Sequence, residues 1–118
     1  MSDQFIRSRL EDPRSKKAEA LKWLENSDGK NTLGELLSTE ESIAFVKGVY
    51  EAGAEEVLAI EIDQYDGGYE NSGRLIVRLP ADPLARERIF RWCAEVAEAQ
   101  GYDGEKDQGQ SQLFVSLD

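Results

Sequence analysis

The chain has 118 residues, a length that fits one domain, and its 24 acidic side chains outnumber its 14 basic ones, for a formal net charge of −10. Hydrophobic residues make up 40% of the chain, which excludes a disordered acidic tail, and no apolar run approaches the roughly 20 residues that span a bilayer. A single cysteine, Cys93, excludes an internal disulfide, and the lack of histidine removes the commonest zinc ligand.

The first predicted helix begins at an Asp-Pro pair. Asp12 is a suitable N-cap and Pro13 suits the first helical position, where its missing N–H costs nothing. Apolar residues at helical spacing then continue to the turn that starts at Asn26. Residues 1–11 are expected either to form a short helix or to fold over the core as a loosely packed arm.

The second predicted helix begins near Ser38. Ser38 and Glu41 have the spacing of a capping box, in which each side chain accepts from a free backbone N–H of the first turn. Apolar residues recur at helical spacing behind it, and Gly53 is a natural end.

Two alternating runs, residues 57–65 and 74–79, predict an antiparallel hairpin joined by a turn over residues 66–73. The large apolar residues of each run fall on one face, namely Leu58, Ile60 and Ile62 in the first and Leu75, Val77 and Leu79 in the second. The register that buries both sets together also opposes Asp63 to Arg74, so this register is predicted.

A third helix is predicted over residues 83–100 behind a second Asp-Pro pair, followed by a last strand over 112–117. A right-handed crossover would place that strand parallel to 74–79 and beside 57–65. The expected single domain, residues 1–118, is α+β in the order helix-helix-strand-strand-helix-strand, with a small, mainly antiparallel three-stranded sheet and helices on one face. Its strand-strand-helix-strand part resembles three-quarters of a ferredoxin-like fold, a likeness that carries no function.

The charge is unevenly distributed along the chain. Residues 1–30 have a net charge of +1, and residues 31–118 have a net charge of −11. Nucleic-acid binding depends on Lys and Arg, and anionic membrane surfaces attract the same side chains, so we predict that neither is a partner. The charged start, residues 1–9, lacks the apolar stretch of a signal peptide, and a cytoplasmic location is expected.

No residue pattern predicts catalysis, a cofactor or a resident metal. Glu61 and Asp63 are two residues apart on one strand, but the predicted register sets them against Arg74 and Arg78, which favours a charged sheet face over acid-base chemistry. The buried-face position of Cys93, with no histidine to activate it, favours a packing role. Four residues around the turn could offer oxygen ligands to Mg²⁺ or Ca²⁺, although their spacing matches no known metal loop: Asp63, Asp66, Glu70 and Asn71.

The outward side of the sheet carries the strongest candidate site. We predict an interface formed by Tyr65, Tyr69, Glu70, Arg74, Ile76 and Phe114. If residues 1–11 or the first helix cover this face, its apolar members belong to the core instead. The sequence favours a non-enzymatic protein-interaction module, such as an adaptor, inhibitor or immunity-type protein, that binds another protein or a second copy of itself. The alternative is a regulatory domain that binds a small ligand or divalent metal through the hairpin carboxylates.

Overall fold

The computed structural model describes residues 3–34, 38–99, 101 and 103–117, and within them the chain is α+β, as predicted. Residues 1, 2, 35–37, 100, 102 and 118, which the predicted domain includes, lie outside the described residues. The helices are α1 (Asp3–Glu11), α2 (Ala20–Glu25), α3 (Thr39–Glu51) and α4 (Pro83–Ala99). The strands are β1 (Ala18–Glu19), β2 (Asn31–Leu33), β3 (Glu56–Ile60), β4 (Asp63–Tyr65), β5 (Tyr69–Ser72), β6 (Arg74–Arg78) and β7 (Gln112–Ser116).

Local capping signals place α3 correctly and misplace α2. The Ser38 Oγ accepts from the Glu41 backbone N–H at 3.2 Å, as the capping-box spacing predicts. The helix expected from Asp12 is wrong in its start, because the Asp12 carboxylate accepts from the Arg14 N–H at 3.0 Å and forms a turn. Helix α2 begins only at Ala20. Its N-cap is Glu19, whose carboxylate accepts from the backbone N–H groups of Leu21 and Lys22.

A single long hairpin organises both sheets. Strands β3 and β4 pair with β6 and β5 in one continuous antiparallel register, from Glu56 opposite Arg78 to Tyr65 opposite Tyr69. The turn is therefore shorter than predicted, residues 66–68, because Gly67 and Gly68 both adopt positive φ and close it tightly. The predicted register, with Asp63 opposite Arg74, is wrong: Asp63 lies opposite Asn71.

The hairpin changes direction at Glu61, which separates β3 from β4. Glu61 has a φ of 51°, a left-handed conformation that is uncommon outside glycine. Its backbone N–H donates to Ser15 Oγ at 3.1 Å, and its carboxylate pairs with Arg9. This break interrupts the alternation, so that Ile62 joins the main core although Ile60 faces the opposite side of the sheet.

The base of the hairpin belongs to a four-stranded sheet, and its tip belongs to a three-stranded one. The first has the order β1-β3-β6-β7 with every neighbouring pair antiparallel, and the second has the order β2-β5-β4 with β2 parallel to β5. The single three-stranded sheet predicted from the sequence is therefore wrong. In the described residues the larger sheet does not have the predicted ferredoxin-like order, because its strands lie side by side in chain order.

The last strand was expected beside β3, and it pairs instead with β6, antiparallel. The chain after α4 doubles back along that helix before β7 begins. Arg86 near the start of α4 holds the returning segment, pairing with Asp107 at 2.7 Å and donating to the Gln110 carbonyl at 2.8 Å. Consequently β7 enters the sheet at the end of β6, where Leu79 N–H donates to the Ser111 carbonyl at 2.9 Å.

Helices cover both faces of the larger sheet, which corrects the prediction of helices on one face. The main core lies between this sheet and α2, α3 and α4, and it includes the predicted inward residues Leu75, Val77 and Leu79. A second cluster lies under α1 and comprises Ile6, Ile60, Ile76 and Phe114, with Phe5, Leu10 and Leu58 half-buried around it. In the described part of the chain, no helix combines the length and apolar character needed to cross a membrane.

Candidate functional site

The three-stranded sheet presents an open face with two exposed tyrosines. Tyr65 and Tyr69 lie directly opposite each other on β4 and β5, and they are 58% and 52% exposed. Because alternate residues of a strand share a face and paired residues do too, the same side carries Asp63, Asn71 and Thr32. We call these five residues the tyrosine face.

A shallow depression of about 450 Å³ lies beside the tyrosines, between them and the segment from Gly29 to Gly34. Asn71 orders its floor, because its side-chain amide donates to Thr32 Oγ1 at 2.8 Å and to the Gly34 carbonyl at 2.7 Å. Both amide protons are used, so β2 and β5 are held together by side-chain as well as backbone hydrogen bonds. The depression is therefore a preformed feature of the sheet.

Charged residues of both signs lie near the tyrosines: Lys30 and Glu70 line the depression, and Asp63 shares the tyrosine face. Asp63 and Asp66 form no ion pair with any residue in the described ranges. The ammonium of Lys30 donates to the Gly67 carbonyl at 3.4 Å and so supports the turn. The face thus combines two large aromatic rings with the carboxylate of Asp63, groups that can contact a cationic side chain.

The opposite side of the small sheet is closed by Glu70. Its carboxylate forms an ion pair with Lys16 and accepts from Trp23 Nε1 at 3.0 Å and from Gln64 Nε2 at 2.9 Å. Lys16 above all, followed by the other two donors, lowers the pKa of Glu70 to about 2. Glu70 was predicted as an interface residue; in this structure its carboxylate already has three donors, and it fastens the small sheet to the body of the protein.

The other predicted interface residues lie away from the tyrosine face. Ile76 is fully buried and Phe114 is 8% exposed, both beneath α1, which corrects the expectation of an open apolar patch. The Phe5 ring meets Phe114 edge-on at 5.9 Å, and the Arg9 guanidinium lies 5.6 Å from the Phe114 ring centre. Arg74 is half-buried next to this cluster. The structure therefore brings together Tyr65 and Tyr69, and it places the apolar members of the predicted patch in the core.

The structure also places Glu61 and Cys93, the residues considered for acid-base and nucleophilic chemistry. Glu61 pairs with Arg9 and not with the arginines predicted from the hairpin register, while Arg78 pairs with Glu56 at 3.6 Å. Cys93 is buried, and burial raises the pKa of its thiol to about 12, which leaves it a poor nucleophile. Within the described ranges, no three His, Cys, Asp or Glu side chains are grouped so that they could hold a metal ion.

Sequence reasoning missed the part of the site that β2 contributes. Thr32 lies on a three-residue strand that pairs in parallel with β5, and Gly34 directly follows it; so short a strand has no usable alternation. Comparison of the chain with protein-family models, curated proteins and solved structures found no match.

Acid is expected to weaken the attachment of the small sheet through Glu70. A glutamate with a folded pKa near 2 and an ordinary value of 4.5 stays ionised in the folded state while the unfolded chain takes up a proton. Its stabilisation is complete above the unfolded value and is lost as the pH falls through about 4.5 to 2. Glu70→Gln should therefore lower the free energy of unfolding by about 1–2 kcal/mol at pH 7, and by clearly less at pH 2.5.

Urea unfolding at both pH values measures this difference. Glu55→Gln is the matched control, because Glu55 is exposed and its side chain has no partner among the described residues. A loss for Glu70→Gln that is equal at pH 7 and pH 2.5 would show that the carboxylate's charge contributes nothing to the attachment.

Proposed function

We propose that this protein is a non-enzymatic interaction module, of the adaptor, inhibitor or immunity type, whose tyrosine face binds a basic segment of a partner protein. The observation that carries the proposal is the placement of Tyr65 and Tyr69, both more than half exposed and directly opposite each other, on the same face as the carboxylate of Asp63. Tyrosine is enriched at protein interfaces because its ring supplies apolar area and its hydroxyl a hydrogen bond.

Charge supports a basic partner. Asp63 shares the face of the rings and Asp66 follows Tyr65 in the turn, neither has an ion pair in the described part of the chain, and residues 31–118 have a net charge of −11. A negative surface raises the encounter rate with a positive partner and disfavours acidic ones. Arginine or lysine from the partner could contact both a carboxylate and the face of a tyrosine ring. The same charge disfavours nucleic acid and anionic membranes as ligands.

The floor of the site supports binding rather than chemistry. Asn71 is committed to Thr32 and Gly34, and Glu70 is committed to its three donors on the other side. The metal-binding alternative lacks an observation in its favour, since the described residues contain no group of three suitable ligands.

Removing both rings is expected to weaken a basic partner's binding at least 30-fold, because central tyrosines contribute about 2 kcal/mol or more each when truncated. The immobilised chain is first used to capture proteins from its native cell extract, and each captured protein is then identified and purified. The dissociation constant of each purified partner is measured for the wild type, for Tyr65→Ala/Tyr69→Ala, and for Leu84→Ala, which changes an exposed apolar residue on α4.

The proposal expects loss of binding in the double variant alone, with its melting temperature within about 3 °C of the wild type. Binding should also weaken as salt is raised. Equal binding by wild type and double variant, or captured partners that are acidic, would contradict the tyrosine face as the site. A dimer of the pure chain that the double variant dissociates would identify a second copy as the occupant.

A further inference from the structure

We infer that the partner's segment is extended and binds as an added strand along the outer edge of β4, with cationic side chains at two positions two residues apart. The inference rests on the proposed function and specifies how the partner is recognised. It follows from a comparison of the outer edges of β7, β2 and β4.

The edges of β7 and β2 are covered by side chains. On β7, Asp3 accepts from Gln112 N–H at 3.3 Å and Glu105 accepts from Phe114 N–H at 3.4 Å. On β2, the Thr39 hydroxyl donates to the Asn31 carbonyl at 2.6 Å, and Leu33 N–H donates to Ser42 Oγ at 3.0 Å. These contacts occupy the backbone groups through which another strand would pair.

The outer edge of β4 has no such cover in the described part of the chain. Residues 63–65 are all exposed, and no backbone or side-chain group of another element hydrogen-bonds to their main chain on the side away from β5. The cover ends immediately before them, where Ile62 N–H donates to the Lys16 carbonyl at 3.0 Å. An incoming strand can therefore pair along Asp63–Tyr65, the pairing mode of strand addition.

The side chains along that edge specify the incoming sequence. Asp63 and Tyr65 share one face and lie two residues apart, about 6.6–6.8 Å at the usual rise of a strand. Residues of an added strand that oppose them have the same spacing and the same face. Arginine or lysine opposite Asp63 forms an ion pair, and a second cation opposite Tyr65 lies against its ring. The recognised pattern is thus cation, any residue, cation in an extended chain.

The test titrates the full-length, ¹⁵N-labelled protein with a capped seven-residue peptide of alternating valine and arginine. The expected result is saturable shifts of the amides of residues 63–65 and of Tyr69. N-methylation of alternate peptide nitrogens along one edge should weaken binding roughly tenfold or more, because it removes the main-chain hydrogen bonds to β4. N-methylation along the other edge is the matched control and should leave affinity within about twofold. A peptide with glutamate for arginine should not bind.

Equal affinity of both N-methylated peptides would overturn strand addition and leave side-chain docking on the tyrosine face, so the proposed function would survive. Shifts confined to residues away from β4, or no binding of the arginine peptide, would also overturn the inference. So would a dimer of the free chain in sedimentation whose 63–65 amides are already protected from exchange, because a second copy would then hold the edge. Failure of the proposed function itself would appear separately, as captured partners unaffected by Tyr65→Ala/Tyr69→Ala.

Discussion

Replacing Ile6 with alanine is expected to lower the free energy of unfolding by about 2–4 kcal/mol, the usual cost of truncating a fully buried isoleucine. Ile6 is fully buried although it lies on a nine-residue N-terminal helix. Its side chain belongs to the cluster with Ile60, Ile76 and Phe114 on the sheet face opposite the main core. The loss comes from the cavity and from the lost apolar contacts, because α1 is the element that covers this face.

Urea unfolding measures the change, and binding of a hydrophobic dye reports whether the sheet face becomes accessible. Ser8→Ala is the matched control, since Ser8 is exposed on the same helix and the substitution should alter stability by less than about 0.5 kcal/mol. If Ile6→Ala were as stable as Ser8→Ala, α1 would be a loosely packed arm, and the open apolar face considered from the sequence would be restored as an interface.

Signals contained within one element were sufficient to predict parts of the fold. The capping box at Ser38 predicted α3, and the alternation of Leu75 and Val77 predicted which side of β6 faces the main core. Each depends on residues close together in sequence, where helical or strand geometry determines which side chains are neighbours. The exposed aromatic rings at Tyr65 and Tyr69 were also predicted, and their role in binding stays a prediction.

The register and the face of β3 could not be predicted in the same way. The strand is apolar on both sides, with Val57 in the main core and Ile60 in the cluster under α1, because helices cover both faces of the sheet. Alternation identifies a buried face only where the other face is polar. The break at Glu61 is fixed by Ser15 and Arg9, which are 46 and 52 residues away in sequence.

The site was predicted incompletely for a related reason. The tip of the hairpin becomes a sheet only when β2 adds to β5 in parallel, a pairing between residues about 40 positions apart. Residues 31–33 have no hairpin or helix signal of their own, so β2 was not predicted as a partner for β5. Without that partner, residues 66–73 were predicted as a turn. The outer edge of β4, which the inferred strand addition uses, is the edge of this sheet on the side away from β2 and β5.

Replacing Gly34 with alanine is expected to be the most damaging single-methyl change near the site, with a loss of about 2–4 kcal/mol in the free energy of unfolding. Gly34 has a φ of +65°, which strains any residue with a Cβ. A Cβ there would also overlap the backbone carbonyl oxygen of Leu117, which cannot rotate away as a side chain could. Gly34 is anchored from both sides, since its N–H donates to the Ser72 carbonyl at 2.9 Å and its carbonyl accepts from Asn71.

Gly29→Ala separates the two causes, because Gly29 also has a positive φ, +76°, and a Cβ there would meet nothing within 4 Å. It should lose only the backbone strain, about 1 kcal/mol. Thermal and urea unfolding of both variants measure the difference, and amide shifts of Tyr65 and Tyr69 report the state of the tyrosine face. Gly34→Ala should shift those amides because it displaces Asn71, whereas Gly29→Ala should not. Equal losses of unfolding free energy for the two variants would mean that Leu117, which follows β7, moves aside at no cost in stability. The contact between Gly34 and Leu117 would then not fix β2 against the end of β7.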